Sequence, residues 1–206
     1  IGGSFTNFFL KNNKNNKVLG IDKITYAADY KKIKIFEKNK NFKFLKIDIS
    51  DYKNLKKVYK NYNIIHVINI AAETHVDNSI KDPDVFINSN IVGTYNLLKL
   101  SQNKWQGNNY KKYKNSKFLQ ISTDEVYGSI NRGKFTENSP FKPNSPYSSS
   151  KASADLLVRS FNKTYKLKTL ITNSANNFGP GQHKEKLIPK IVNNLINKKY
   201  ISIYGD

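Results

Sequence analysis

The sequence contains no cysteine and no methionine. Without cysteine it has no disulfide framework and no thiolate metal site. Without methionine no initiator residue is present; the chain opens at Ile1-Gly2-Gly3 and stops in a strand-like Ile203-Tyr204-Gly205-Asp206. Both ends read as cut, so a fragment is expected. Long hydrophobic runs are missing too. The longest, such as Ile64–Ala72, reach about half of the roughly 20 residues that a spanning helix needs. No signal peptide is evident, and a cytoplasmic protein without a membrane span is the expectation. Arginine is scarce, with 2 residues against 33 lysines, although the formal net charge is +20. Base readers and phosphate clamps favour arginine for its planar fork. The lysines and 29 asparagines are also scattered over nearly every expected loop and helix face. Such an excess reads as AT-biased coding at permissive surface positions, useful at most for steering an anionic ligand, and no nucleic-acid partner is expected. The 3 histidines are separated without ligand spacing, so no metal is expected. His66, inside an apolar run, reads as a core residue.

What is present alternates. At 206 residues one domain is the default. Strand-like runs lie at Val18–Asp22, Phe42–Asp48, Ile64–Ala72, Phe118–Thr123 and Thr169–Asn173. They are short and continuously apolar, as in parallel strands covered on both faces. Helical stretches lie between them at Ser4–Asn13, Asp51–Asn61, Asp84–Lys104 and Ser145–Lys166. The third has apolar residues at 87, 91, 95 and 98. Asp51 or Ser50 suits the second as a cap, and Ser145-Pro146 suits the start of the fourth. Lys11–Lys17, Lys31–Lys43 and Gln106–Lys117 read as solvated loops. The pattern predicts a doubly wound parallel α/β fold over residues 1–178, with a second region beginning at 179–206.

Gly2 and Gly3 precede an apolar helix, and Asp22 ends the next strand, the spacing by which a dinucleotide fold places a pyrophosphate at a helix N-terminus and a ribose against a carboxylate. Asp48 ends another strand, within reach of an adenine edge. Ala71-Ala72 are small enough for a nucleotide to lie against the backbone. Asp22 disfavours a 2′-phosphate, although Lys23 beside it weakens that preference.

Tyr147 and Lys151 are four residues apart, on one helix face. A nearby ammonium, together with a nicotinamide's charge, is expected to bring the phenol down from its usual value near 10. Asp124 and Glu125 emerge at the C-terminal end of an apolar strand, where α/β sheets bind ligands. Desolvation and mutual repulsion should push the two carboxyls apart, leaving one as acid and one as base.

Several segments together resemble one family. They are Asp-Lys-Ile-Thr-Tyr-Ala at 22–27, Ala-Ala-Glu-Thr-His-Val-Asp-Asn-Ser-Ile at 71–80, Asn-Ile-Val-Gly-Thr at 90–94 and Ser-Thr-Asp-Glu-Val-Tyr-Gly at 122–128. Ser-Pro-Tyr-Ser-Ser-Ser-Lys-Ala-Ser at 145–153, Thr-Asn-Ser-Ala-Asn-Asn-Phe-Gly-Pro at 172–180 and Glu-Lys-Leu-Ile-Pro at 185–189 complete the set. The chain resembles the dTDP-glucose 4,6-dehydratases of the extended short-chain dehydrogenase/reductase superfamily, essentially end to end. The Asp-Glu pair sets that family apart from related epimerases and decarboxylases.

The resemblance implies NAD as cofactor and dTDP-glucose as substrate, oxidised at C4, dehydrated across C5–C6 and given its hydride back at C6. Tyr147 would deprotonate the 4-hydroxyl, assisted by Lys151 and Thr123; Glu125 would remove the C5 proton and Asp124 protonate the leaving 6-hydroxyl. Ile1, Gly2, Asp22, Lys23, Ile24, Thr25, Asp48, Ile49, Ala71, Ala72 and Ser89 match cofactor positions, as do Tyr147 and Lys151. Thr74, Thr123, Asn173, Glu185, Lys186 and Leu187 match substrate positions. A homodimer through the helices at 84–104 and 145–166 is implied. Thr74 stands where serine is usual and Ser89 where threonine is usual, both mild changes. The family's first strand would precede Ile1, between the strands at 18–22 and 64–72 in the order 3-2-1-4-5-6. The sheet should therefore have a gap, and the polypeptide as printed is expected to be inactive or poorly folded. The alternatives are a sister epimerase or decarboxylase acting on a uridine nucleotide, a lysine-rich polyanion binder, or an inactive remnant.

Overall fold

The computed structural model describes residues 1–107 and 110–201. Its elements alternate as the apolar runs predict: α1 Gly2–Asn12, β1 Val18–Asp22, α2 Tyr30–Phe36, β2 Phe42–Lys46, α3 Tyr52–Asn61 and β3 Val67–Asn69. After these come α4 Val76–Lys81, α5 Pro83–Phe86, a π-helical stretch Ile87–Val92, α6 Gly93–Trp105 and α7 Tyr110–Tyr113. Then follow β4 Phe118–Thr123, a 3-10 turn Asp124–Tyr127, α8 Pro146–Tyr165, β5 Thr169–Ser174 and α9 Leu187–Ile196.

All described strand pairs are parallel, and they form two sheets: β1 with β2, and β3–β4–β5. The order matches a doubly wound sheet with a break between β1 and β3, where the gap is expected. β3 covers only Val67–Asn69 of the run at 64–72, each of its residues registered against β4. The main core lies under β4, where Leu55, Leu98, Phe118 and Val158 are fully buried among α3, α6 and α8. A polar strut crosses it, with Asn69 Nδ2 donating to Thr94 Oγ1 at 3.0 Å and Gln120 Oε1 at 2.9 Å. Among the described residues no helix is long and apolar enough to cross a membrane.

Capping follows the sequence. Asp51 accepts from the Asn54 N–H at the start of α3, and Ser145 and Ser148 close a capping box with Pro146 in the first turn of α8.

Four expectations need correction. The lysine-rich stretch 31–43 holds α2, capped by Asp29, whose Phe36 packs edge-on against Phe42 at 5.6 Å; lysines on its outer face mask the helical spacing of Ile33 and Phe36. Within 106–117, α7 forms because Tyr113 is buried and its hydroxyl donates to Asn63 Oδ1 at 2.6 Å. The helix expected over 84–104 is broken into α5, the π-helical stretch and α6. The wide turn rotates the register, so Ile87 and Tyr95 face solvent, while Phe86, Asn90, Leu97 and Leu98 are buried. His66 is exposed just ahead of β3, its Nδ1 accepting from the Lys117 N–H at 3.2 Å. The strand-like 203–206 lies outside the described residues.

Candidate active site

Two clusters form at the C-terminal ends of the strands, where parallel α/β sheets leave a crevice. The first is a cleft across the break between the sheets. Eight of the residues expected at a cofactor line it: Asp22, Lys23, Thr25, Asp48, Ile49, Ala71, Ala72 and Ser89. Lys23 spans it, donating to Ser89 Oγ at 2.7 Å and pairing with Glu73 at 3.2 Å and Asp48 at 3.8 Å. Asp48 is steadied by the Ser50 N–H and hydroxyl, each at 2.8 Å. Asp22 Oδ1 accepts from the Ile24 N–H at 2.6 Å. Ile24 holds a φ of +61°, left-handed backbone that a β-branched residue adopts only at a cost; the Asp22 bond is part of what holds it there. Gly93 lets α6 approach this floor, since a Cβ there would meet the Ile49 side chain at 2.5 Å. Gly2 begins α1 beside Ile70, and Ile1 ahead of it is exposed.

The second cluster forms where β4 runs out. Thr123 caps the 3-10 turn: its Oγ1 accepts from the Glu125 N–H at 3.2 Å and lies 3.3 Å from Asp124 Oδ1. The turn ends at Gly128 with φ +88°, and a Cβ there would collide with the Lys142 carbonyl oxygen, so glycine is required. α8 brings in Tyr147, buried edge-on against Phe86, and the buried Lys151, whose Nζ donates to the Ile121 carbonyl at 2.6 Å.

Burial pushes the Tyr147 phenol up to about 12; the carboxylates of Glu125, Asp124 and Asp155 push the same way, and the Thr123 hydroxyl opposes them. Lys151 shares the helix face but donates its ammonium to the Ile121 carbonyl, and burial draws Lys151 itself down to about 8 against the Asp155 charge; the descent expected for the phenol is one that a nicotinamide's charge takes part in. Of the acidic pair, Glu125 is raised, first by burial and then by the neighbouring Asp124 charge, against the pull of Lys186.

The residues expected to face substrate gather at the same mouth. Lys186 Nζ donates to Thr74 Oγ1 at 3.2 Å and its carbonyl at 3.3 Å, and lies 3.8 Å from Glu185. Asn173 Nδ2 reaches the Thr123 carbonyl at 3.3 Å. Leu187 is exposed at the start of α9. Residues missed by sequence reasoning include Glu73, Tyr26, whose hydroxyl is 3.5 Å from Glu185, and Asp155. Asp155 was legible as the next step of the four-residue spacing from Tyr147 to Lys151; Glu73 follows Ala71-Ala72 directly, but its partner Lys23 is remote in sequence.

The chain is similar to known proteins over its whole length. dTDP-glucose 4,6-dehydratase of Haemophilus influenzae is 42% identical over 208 residues, covering 100% of this chain and 61% of that protein. The crystal structure of dTDP-glucose 4,6-dehydratase from Bacillus anthracis in complex with NAD superposes with a TM-score of 0.84 at 39% identity, covering 100% of this chain and 61% of that one. UDP-glucuronic acid 4-epimerase from Bacillus cereus, in complex with UDP-glucuronic acid and NAD, gives a TM-score of 0.86 at 27% identity, covering 100% and 63%. The chain spans about three fifths of the length of the curated relatives it matches. The family model described as GDP-mannose 4,6 dehydratase matches residues 1–206. By that match over its whole length, the chain belongs to the GDP-mannose 4,6 dehydratase family.

Proposed function

We propose that the protein is an NAD-dependent dTDP-glucose 4,6-dehydratase, a hydro-lyase that makes the 4-keto-6-deoxy sugar nucleotide. The observation carrying this is the Asp124–Glu125 pair on the turn beyond β4, close enough to Tyr147 for both carboxylates to raise its phenol. The relatives named dehydratase support the choice within the family.

The cleft fits a dinucleotide. It crosses the ends of both sheets, its small Ala71 and Ala72 leave the backbone approachable, and Asp22 commits Oδ1 to Ile24, leaving Oδ2 for a ribose hydroxyl. Bound NAD supplies a hydride acceptor and later a hydride donor. Asp22, Lys23, Ile24, Thr25, Asp48, Ile49 and Ser89 would hold it, together with Ile1 and Gly2. In the reaction Tyr147 takes the proton of the sugar 4-hydroxyl, with Thr123 donating a hydrogen bond to the phenolate and Lys151 supplying positive charge. The new carbonyl acidifies C5. Glu125 removes the C5 proton, its raised carboxyl being a stronger base once ionised, and Asp124 delivers a proton to the departing 6-hydroxyl. The balance is loss of one water. Thr74, Asn173, Glu185, Lys186 and Leu187 line the substrate side, and Lys186 sits near enough to Glu125 to favour its ionised form.

Residues 1–178 serve as the NAD-binding domain and 179–206 begin the substrate-binding region. The protein pairs as a homodimer in the cytoplasm. Support for pairing comes from exposed apolar residues on adjoining helices, including Ile87, Val92, Tyr95 and Leu156.

The test is turnover of dTDP-glucose by the complete protein with NAD and no added reductant, read as loss of one water by mass and alkaline ultraviolet absorbance of the ketone. Glu125→Gln should stop solvent deuterium entering C5 while leaving NAD binding intact. An unchanged hexose from the wild type sinks the function; retained exchange in the variant sinks the role of Glu125.

A further inference from the structure

Asp155 has a place in the fold that the proposed chemistry does not use. It follows Tyr147 and Lys151 on the same face of α8 at the same four-residue spacing. It is 1% exposed. Its Oδ2 accepts from Ser122 Oγ at 2.6 Å and from Asn173 Nδ2 at 3.2 Å. Its Oδ1 is buried with no hydrogen-bond partner among the described residues. A carboxylate oxygen left this way is costly, and an apolar side chain would fill the space without that cost.

What the carboxylate holds explains its presence. Three consecutive residues of β4 are tied towards α8: Ile121 through its carbonyl to Lys151, Ser122 through its hydroxyl to Asp155, and Thr123 through its carbonyl to Asn173, which Asp155 holds in turn. The next two residues are Asp124 and Glu125. We infer that Asp155 is a positioning residue, which fixes the acidic pair and the Asn173 carboxamide in space relative to the Tyr147–Lys151 face. This rests on the function proposed above, because only there must both pairs act on adjacent carbons of one sugar. Asp155 touches no reacting atom; it sets where the groups that do so stand.

The experiment compares the complete wild-type protein with Asp155→Ala and Asp155→Asn. Asn keeps the shape and an acceptor oxygen; Ala removes both. Asp155→Ala should lower kcat by about 100-fold, the cost of misplacing a catalytic group by a fraction of its reach, with little change in KM for dTDP-glucose. It should also speed amide hydrogen exchange across 122–125. Asp155→Asn should return both readings close to wild type. Wild-type kcat in Asp155→Ala, unchanged exchange at 122–125, or an equal loss in both variants overturns the inference. Should the Ala variant not fold, Asp155→Val is read by the same criteria. Absence of wild-type turnover sinks the proposed function instead, and the exchange measurement then judges Asp155 by itself.

Discussion

Lys151→Met should make the cofactor-free protein more stable near neutral pH while abolishing its turnover. Lys151 is 5% exposed, and burial holds its ammonium at about 8 against an ordinary 10.5. That depression corresponds to about 3 kcal/mol spent keeping the charged form buried at pH 7. Against it stands the 2.6 Å bond to the Ile121 carbonyl, whose loss costs about 1–2 kcal/mol. Met fills the same volume without charge, so the net gain is about 1–2 kcal/mol at pH 7. The sign follows from linkage: a lysine depressed by folding contributes stability that is present above 10.5 and is lost as pH falls through about 8. The wild type should therefore recover relative to the variant as the solution becomes alkaline, by about 2 kcal/mol between pH 7 and 9.5. Urea unfolding of both proteins at the two pH values measures this directly, and the other lysines cancel in the difference. A variant less stable at pH 7, or a difference that does not move with pH, refutes the reasoning.

Gly128→Ala should cost about 1–3 kcal/mol in urea unfolding, because φ is +88° and the added methyl meets the Lys142 carbonyl; a midpoint equal to wild type would show that the turn carrying Asp124 and Glu125 relaxes freely. Leu156→Glu, on the exposed face of α8, should shift the proposed dimer of the complete protein to monomer in sedimentation without lowering its melting temperature; an unchanged dimer places the interface elsewhere, and a monomeric wild type refutes the pairing.

Legibility divides along physical lines. β1 and β4 were read to the residue, because short continuous apolar runs bounded by polar turns leave little freedom of register. Ser145-Pro146 marked the start of α8, since capping is a local event completed within one turn. The candidate site was legible as residue types: a tyrosine and a lysine four apart, two adjacent carboxyls at a strand end, small residues just beyond β3. α2 was not legible, because its core contact to Phe42 and Leu10 is tertiary and three of its seven residues are lysine. Nor was the π-helical turn that swings Ile87 and Tyr95 outward, since one inserted residue per turn alters the facing of a helix without altering its composition.

The sequence by itself determined the alternation of elements, the parallel sheet, and which chemical groups arrive at the strand ends, because those depend on periodicity and local capping. Only the tertiary structure decided their electrical state. Tyr147 rises because desolvation and the nearby carboxylates outweigh the Thr123 hydroxyl, Lys151 falls because desolvation outweighs the Asp155 charge, and Lys151 turns to a backbone carbonyl that no spacing rule reveals. It alone decided, too, that Asp155 is walled in beside Ser122 and Asn173. Burial is a property of neighbours brought from distant parts of the chain, and so is the energy of every charge within it.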